Sequence, residues 1–283
     1  MLVAETVDQV RIAVRSARAA GKSVGFVPTM GALHAGHRSL MDASRRECDF
    51  HIVSIFVNPT QFGPHEDLAR YPRPRDADLE LCRTAGIDLV FYPPVEVMYP
   101  PNYRTFVEVA GLSSLLEGAV RPGHFRGVAT VVTKLLLIAG ADRAYFGQKD
   151  YQQQTIIRVM VSELNLPTEI RVCPTLRDPD GLAMSSRNAY LTPEQRQAGL
   201  SLSRALHLAQ RIVDSGEQSV TTIERAMHEI LAGTPGVEPD YAVLRHPDTL
   251  EELTEILPAM VALIAARVGT TRLIDNQVLQ VEL

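Results

Sequence analysis

Two segments far apart in the chain carry residue types that suit a phosphate-bearing ligand. Residues 28–37 read Pro-Thr-Met-Gly-Ala-Leu-His-Ala-Gly-His, and residues 184–188 read Met-Ser-Ser-Arg-Asn. In the first segment, two glycines let the backbone approach a ligand, and two imidazoles can donate hydrogen bonds to developing charge. In the second, Arg187 and two serine hydroxyls suit phosphate oxygens. Each segment also has a plainer interpretation, a helix cap for the first and a solvated linker for the second.

The pair resembles the two ATP-binding motifs of the nucleotidyl-transferase superfamily, His-x-Gly-His and a Met-Ser-Lys-Ser-type loop. This resemblance implies adenylylation chemistry, in which ATP is split between its α- and β-phosphates. Arg187 stands where the superfamily often has lysine, which keeps the charge and changes the geometry.

Three further segments contain candidate site residues. Gln61 follows an apolar strand and offers both an amide donor and an acceptor to a small substrate, although Asn58 and Pro59 also indicate a simple turn. Lys149 is a point charge suited to phosphate, and Asp150 suits a ribose hydroxyl or a magnesium shell, although both could be ordinary cap and surface residues. Residues 121–127 could line the substrate entrance or a subunit contact.

Apolar strands and amphipathic helices alternate over the first 174 residues. Helices are predicted at 7–20, 38–48, 76–85, 127–139 and 150–163, and strands at 24–27, 51–57, 88–92, 143–146 and 169–173. This pattern predicts a doubly wound, Rossmann-like α/β domain with a parallel sheet, whose ligands bind beyond the carboxyl ends of the strands. Neither a Gly-x-Gly-x-x-Gly fingerprint after the first strand nor a Walker sequence is present.

The pattern changes after residue 175. A polar loop at 176–191 precedes predicted helices at 193–215 and 220–232 and predicted strands at 240–245, 260–268 and 271–275. We therefore predict an ATP- and substrate-binding domain at residues 1–174. A smaller α+β domain at residues 175–283 would carry the 184–187 loop as a lid, with Asp178, Asp180 and Gly181 as a flexible turn.

Composition excludes several classes of protein. The 283 residues carry a formal net charge of -5, with 46% hydrophobic and 22% charged residues, which argues against a nucleic-acid-binding surface. No apolar stretch is long enough to span a bilayer, so no membrane association is expected. Three widely spaced cysteines predict neither a disulfide framework nor a zinc cluster, and a cytoplasmic location follows. We predict no protein-held metal.

Taken together, these segments resemble the pantothenate synthetase family, the AMP-forming pantoate–β-alanine ligases. The resemblance covers almost the whole chain at similar spacing and is carried by residues 28–37, 53–62, 67–72, 116–127, 146–153, 180–192 and 272–276. It implies condensation of (R)-pantoate with β-alanine through a pantoyl adenylate, with release of pyrophosphate and AMP. It further implies ATP as a substrate, Mg²⁺ on its phosphates, and a homodimer.

The resemblance also implies a role for each site residue. His34 and His37 would contact phosphates, with His37 at the family's proton-donor position, and Gln61 and Gln153 would hold pantoate, with Gln61 also near β-alanine. Lys149 and Arg187 would act with the two histidines in catalysis. The implied ATP-binding residues are Met30, Gly31, Ala32, Leu33, His34, Ala35, Gly36, His37, Gly147, Gln148, Lys149, Asp150, Leu176, Met184, Ser185, Ser186 and Arg187.

Rival interpretations of the same residues stay open at this point. The chain could be another nucleotidyl transferase of this fold with a different acceptor, although a pair of amides and no basic acceptor surface favour a small carboxylic acid. It could be a nucleotide sensor without catalysis, although a sensor need not keep His34, His37, Lys149 and Arg187. A truncated aminoacyl-tRNA synthetase is disfavoured by the acidic charge.

Overall fold

Short apolar strands build a parallel sheet in the first part of the chain. The computed structural model describes residues 1–64, 66 and 68–281. The strands are β1 (Leu2–Ala4), β2 (Val24–Thr29), β3 (Phe50–Ile55), β4 (Leu89–Phe91), β5 (Arg143–Gly147) and β6 (Glu169–Cys173). The helices are α1 (Val7–Ala19), α2 (Ala35–Glu47), α3 (Arg75–Thr84), α4 (Val95–Met98), α5 (Glu117–Val120), α6 (His124–Ala139) and α7 (Tyr151–Glu163).

The strand order β1-β4-β3-β2-β5-β6 places the centre of this sheet at β2. All the paired strands are parallel, and β2 has β3 on one side and β5 on the other. The chain passes from β2 to β3 on one side and later returns to β5 on the other side of β2. Because the strand order reverses here, the carboxyl ends of these three strands form the position where α/β sheets bind ligands. Residues 30–37 follow β2, residues 58–61 follow β3, and Gly147 ends β5.

Helices cover both faces of this sheet, which explains why the central strands β2 and β3 are buried on consecutive residues rather than on alternate ones. On one face, side chains from α1, α6 and α7 pack on Phe26, Ile52 and Leu89. On the other face, side chains from α2 and α3 pack on Val27, Val53 and Val90. The two residue sets are adjacent in sequence, as the two-residue period of a strand requires.

The C-terminal part contains an antiparallel sheet with two helices. Its elements are α8 (Pro193–Asp214), α9 (Val220–Ala232), β7 (Val237–Arg245), β8 (Ala259–Val268) and β9 (Thr271–Gln280), and the strand order is β7-β8-β9. Leu202, Leu206 and Met227 of the helices pack with Leu244 and Ile264 of the sheet in a separate core. A capping box between Thr192 and Gln195 starts α8, as its sequence indicates.

The predicted fold class is confirmed, because a doubly wound parallel sheet precedes a smaller α+β region. By their packing the residues form two compact units, Met1–Gly147 with Gln152–Pro174, and Gln148–Tyr151 with Thr175–Leu283. The predicted domain division at 174/175 thus separates Gln148–Tyr151 from the unit with which this segment packs. As a boundary between functional domains it stays a prediction.

Candidate functional site

The turn after β2 has a backbone that few residues can adopt. Gly31 has a φ of 85°, and a Cβ atom there would lie 2.9 Å from Oδ2 of Asp78 and 3.0 Å from a methyl group of Ile55. Ala32 follows with a φ of 50°, an uncommon conformation for a residue with a side chain. Glycine at position 31 is therefore required by both conformation and space.

A buried carboxylate on α3 holds this turn in place. Asp78 is 2% exposed, and its two oxygens accept the backbone N–H groups of Ala32 at 2.9 Å and Leu33 at 2.8 Å. Burial raises the pKa of Asp78, and the two backbone donors oppose that rise. Asp78 thus fixes the strained part of the turn from 46 residues away, and sequence reasoning missed it.

The two histidines of this segment lie against each other where α2 begins. His34 is the N-cap of α2, and its Nδ1 accepts the N–H of Gly36 at 3.1 Å. Nδ1 of His37 accepts the N–H of His34 at 3.3 Å, and the two ring centroids are 4.2 Å apart. Since both Nδ1 atoms accept, we assign the protons of the neutral rings to Nε2. Two Nε2–H donors therefore stand at a helix N-terminus, which favours anions.

The helix α2 begins earlier than the sequence predicts. The predicted helix spans residues 38–48 with His37 at its opening, whereas the observed helix spans Ala35–Glu47 and contains His37 in its first turn. Histidine is not among the preferred N-cap residues, so the sequence signal for this start is weak.

Gln61 lies beside the first segment, with its amide held in one orientation. It is 7% exposed, and its Oε1 accepts a hydrogen bond from Nδ2 of Asn58 at 3.0 Å. Its Nε2 consequently lies toward the turn after β2, 3.1 Å from Sδ of Met30. Tyr99 donates to Oδ1 of Asn58 at 2.8 Å and fixes that amide in turn. Gln61 thus presents N–H donors, which suit an oxygen of a substrate.

His124, the first residue of α6, holds the backbone of Gln61. Its Nδ1 lies 2.8 Å from the Gln61 carbonyl oxygen and so donates to it, which leaves Nε2 to accept from Arg121 at 3.1 Å. Arg121 also forms two hydrogen bonds with the carboxylate of Glu66. Gly127 allows the close approach of α6, since a Cβ there would lie 2.4 Å from the carbonyl oxygen of Thr60. Residues 121–127 therefore support the Gln61 turn.

In the second unit, two of the predicted ATP-binding residues pair through their backbones. The N–H of Met184 donates to the carbonyl of Leu176 at 3.0 Å, beside a bridge between Arg177 and Ala183. Leu176 is 39% exposed, which suits a contact made by its backbone. Ser185 then caps a 3₁₀ turn spanning Ser186–Tyr190 by accepting the N–H of Arg187 at 3.3 Å.

The segment at 178–181, predicted as a flexible turn, is tied to α8 by ion pairs. Arg196 lies 2.7 Å from the carboxylate of Asp178 and 2.8 Å from that of Asp180. Arg177 forms a two-point ion pair with the buried Asp275 at 2.7 and 2.9 Å. The base of the 184–187 loop is therefore anchored at both α8 and β9.

Lys149 lies in the short segment that follows β5. Its side chain is 18% exposed, and Nζ is 3.8 Å from the carboxylate of Asp150, which is itself exposed. Asn276 of β9 donates to the carbonyls of Gln148 at 3.1 Å and Lys149 at 2.7 Å. Gln153 is partly exposed in the first turn of α7, within the first unit.

The structure thus brings together Met30, the two histidines and Gln61 in one unit, and Leu176 with residues 184–187 in the other. Within the described part of the chain, no group of three His, Cys, Asp or Glu side chains could hold a metal ion. Across the same residues, no helix has the length and apolar character needed to cross a membrane. Asp67, which begins one of the matching segments, lies outside the described residues.

Comparison with known proteins decides the family. The sequence model of the family described as pantoate-beta-alanine ligase matches residues 2–278. The chain belongs to the pantoate–β-alanine ligase family. It is 54% identical to the pantothenate synthetase of Moorella thermoacetica over 281 residues, 99% of each chain. It is also 54% identical to that of Chloroflexus aurantiacus over 269 residues, 95% of this chain and 96% of the relative.

Solved structures of pantoate–β-alanine ligases share the whole fold. Pantothenate synthetase from Thermus thermophilus matches with a TM-score of 0.93 and 47% identity, covering 98% of this chain and 99% of the other. Pantoate-beta-alanine ligase from Francisella tularensis, complexed with beta-gamma ATP and beta-alanine, matches with a TM-score of 0.79 and 34% identity, covering 98% and 97%. The resemblance inferred from the motifs is therefore confirmed.

The buried imidazole beneath Gln61 gives this ligase a testable dependence on pH. Burial, aided by the charge of Arg121, lowers the pKa of His124 from 6.5 to about 4. The unfolded chain therefore binds more protons between these values, so stability falls as the pH drops from about 6.5 to about 4. We expect His124→Gln to remove about 2 kcal/mol of the stability difference between pH 7 and pH 4.5.

Urea unfolding at the two pH values measures this difference. His228→Gln is the matched control, because His228 is exposed on α9. An unchanged stability difference in His124→Gln would show that His124 is not neutral in the folded protein near pH 5.

Proposed function

We propose that the chain makes pantothenate from pantoate and β-alanine in two half-reactions, through a pantoyl adenylate. In the first, a carboxylate oxygen of pantoate attacks the α-phosphorus of ATP, and pyrophosphate leaves with the electrons of the broken P–O bond. In the second, the amine of β-alanine attacks the acyl carbon, the C–O bond to phosphate breaks, and AMP leaves while the amine releases a proton. Family membership supports pantothenate synthesis itself.

The paired orientation of His34 and His37 is the observation that carries this proposal. Each Nδ1 accepts a backbone N–H, which places both Nε2–H donors at the start of α2. Negative charge grows on the phosphate oxygens as the α-phosphorus is attacked, and donors fixed in advance stabilise that charge without reorganisation. Because pantoate is already ionised near neutral pH, His37 acts as a hydrogen-bond donor and has no carboxyl proton to remove.

Segments from both parts of the chain would make the remaining contacts with ATP. We assign the phosphates to the backbone of residues 30–37 and 147–150, to the ammonium group of Lys149 and to Arg187 with its neighbouring serines. The backbone at Leu176 would contact the adenine or ribose, as the exposure of that residue allows. The Francisella tularensis relative, which is complexed with beta-gamma ATP and beta-alanine, supports both substrates.

Two side-chain amides would bind pantoate. Gln61 has its Oε1 occupied by Asn58, so it offers N–H donors to a hydroxyl or carboxylate oxygen. Gln153 would complete the pantoate contacts from α7, and Gln61 would also lie near β-alanine.

Three further properties belong to the proposal. Mg²⁺ would arrive with ATP and screen the charge of its phosphates, held mainly by phosphate oxygens and water. The enzyme would act as a homodimer in the cytoplasm. Gel filtration with light scattering tests the oligomeric state directly, since a protein of 31.1 kDa would elute as a monomer if the dimer were absent.

Product analysis tests the proposed reaction. Purified protein is incubated with ATP, Mg²⁺ and pantoate, with and without β-alanine, and pyrophosphate, AMP and pantothenate are measured. Pantoate-dependent pyrophosphate release, with AMP and pantothenate requiring β-alanine, supports both half-reactions. Production of ADP and phosphate in place of AMP and pyrophosphate would overturn the adenylate route.

The assignment of Gln61 predicts a change confined to one substrate. Gln61→Ala should raise the pantoate KM about tenfold or more, with little change in the ATP KM, because one hydrogen-bonded partner of the substrate is lost. Gln218→Ala, at an exposed glutamine, is the control. Steady-state kinetics that show an unchanged pantoate KM would remove Gln61 from the pantoate site.

A further inference from the structure

Asn276 is a buried amide in the strand β9. It is 3% exposed, and its neighbour Asp275 is also 3% exposed. Adjacent residues of a strand point to opposite faces of the sheet. Leu273 and Leu279, which share the parity of Asp275, belong to the core formed with α8 and α9. Asn276 therefore projects from the other face of the sheet.

The side chain of Asn276 binds two successive carbonyl groups. Its Nδ2 donates to the carbonyl of Gln148 at 3.1 Å and to that of Lys149 at 2.7 Å. Carbonyl oxygens can only accept, so these contacts assign the amide orientation, and both N–H bonds of Nδ2 are used. Such a pair of hydrogen bonds restrains the backbone on both sides of the Lys149 Cα atom.

The same segment is held at its other end. The hydroxyl of Tyr151 donates to the carbonyl of Pro247 at 3.1 Å. Together these contacts explain why Gln148–Tyr151 packs with the C-terminal sheet although β5 and the rest of α7 belong to the first unit.

Asp275 fixes the position of Asn276 along the strand. One of its oxygens accepts the N–H of Asn276 at 2.8 Å, while the carboxylate forms the two-point ion pair with Arg177. Two adjacent residues of β9 thus hold the segment of Lys149 and the base of the 184–187 loop. Both of these segments are assigned to ATP in the proposed function.

We propose that Asn276 is a positioning residue, which fixes the backbone of Gln148 and Lys149 so that the Lys149 ammonium group is held toward the phosphates of ATP. This inference rests on the proposed role of Lys149. Asn276 acts through Lys149 and does not itself contact the substrate.

A double-mutant cycle separates this role from a general effect on folding. Asn276→Ala should lower kcat/KM for ATP by about 10- to 100-fold, as a misplaced catalytic group does, with the pantoate KM nearly unchanged. In a Lys149→Ala background the same substitution should cost less than about threefold, because residues that act as a unit are not additive. Gln280→Ala, at an exposed amide of the same strand, should behave as the wild type.

Hydrogen–deuterium exchange supplies a readout that does not depend on activity. Asn276→Ala should increase deuterium uptake in peptides that cover residues 147–152, with uptake in β7 and β8 unchanged. If this variant does not fold, Asn276→Ser, whose shorter side chain keeps a single donor, is measured in the same way.

Equal costs of Asn276→Ala in the two backgrounds, or unchanged exchange at residues 147–152, would overturn the inference while leaving the proposed function intact. A wild-type protein that makes no pantothenate would instead overturn the proposed function and the link to ATP. The exchange data would then decide alone whether Asn276 holds the segment.

Discussion

The Lys149→Ala variant is expected to turn over about 100- to 1,000-fold more slowly than the wild type while remaining folded. In the proposed function Lys149 supplies a positive charge, and its backbone is restrained before ATP binds by two hydrogen bonds from Asn276. Loss of a preorganised group that stabilises transition-state charge has an effect of this size. Steady-state kinetics at saturating ATP, with circular dichroism as the test of folding, measure it.

The chain offers a matched control for this experiment. It contains only three lysines, and Lys22 is exposed in the turn after α1. Lys22→Ala should retain the wild-type kcat. Lys149→Arg should recover part of the lost rate, since the charge is kept and its geometry changes. A kcat within about threefold of the wild type in Lys149→Ala would remove this residue from the catalytic assignment.

Replacement of His37 by alanine should lower kcat by about 100-fold, with a smaller change in the ATP KM. The ring of His37 is oriented by the contact of its Nδ1 with the backbone of His34, and in the proposed function its Nε2–H group acts on charge that develops only during the reaction. A group of this kind affects kcat more than ground-state binding. Initial rates across a range of ATP concentrations separate the two parameters.

A second measurement distinguishes the role of His37 as a hydrogen-bond donor in catalysis from its structural support of the turn. His37→Ala also removes the acceptor for the N–H of His34, so the melting temperature is measured beside the rate. His228→Ala, at an exposed histidine of α9, is the control for loss of an imidazole. If His37→Ala lost activity only in proportion to a loss of folded protein, the transition-state role of His37 would be contradicted.

The sequence predicts the helices and strands of this fold wherever burial produces a recognisable pattern of apolar residues. The strands β2, β3 and β5 are mostly apolar and buried on consecutive residues because helices cover both faces of the sheet, and this pattern is visible in the sequence. The strand β1 has only three residues, Leu2–Ala4, which is too short for a periodic signal. Its position in the sheet depends on pairing with β4, which lies far later in the chain.

A pair of polar residues within β9 led to a wrong prediction of where this strand ends. The predicted strand stopped at residue 275, whereas β9 continues to Gln280. Asp275 and Asn276 are typical of a turn, but they are buried here, where Asp275 pairs with Arg177 and Nδ2 of Asn276 donates to two backbone carbonyls. Those partners lie far away in the sequence, and no local pattern identifies them.

The candidate site also combines features that the sequence indicates with features that only the structure shows. The residues with recognisable chemistry, such as His34, His37 and Lys149, could be selected from motifs and from a family resemblance. The contacts that support the site could not, because Asp78 binds a turn 46 residues earlier and His124 binds the carbonyl of Gln61, 63 positions earlier. Such support depends on tertiary contacts. The catalytic and binding roles themselves stay predictions until they are measured.

Isotope transfer from pantoate tests the adenylate route most directly. Pantoate labelled with ¹⁸O in its carboxylate is converted with ATP, Mg²⁺ and β-alanine, and the products are analysed by mass spectrometry. Attack of the carboxylate on the α-phosphorus predicts one ¹⁸O atom in the phosphate group of AMP for each pantothenate formed from fully labelled pantoate. Label found in inorganic phosphate, with ADP as the nucleotide product, would show attack on the γ-phosphorus and contradict the pantoyl adenylate.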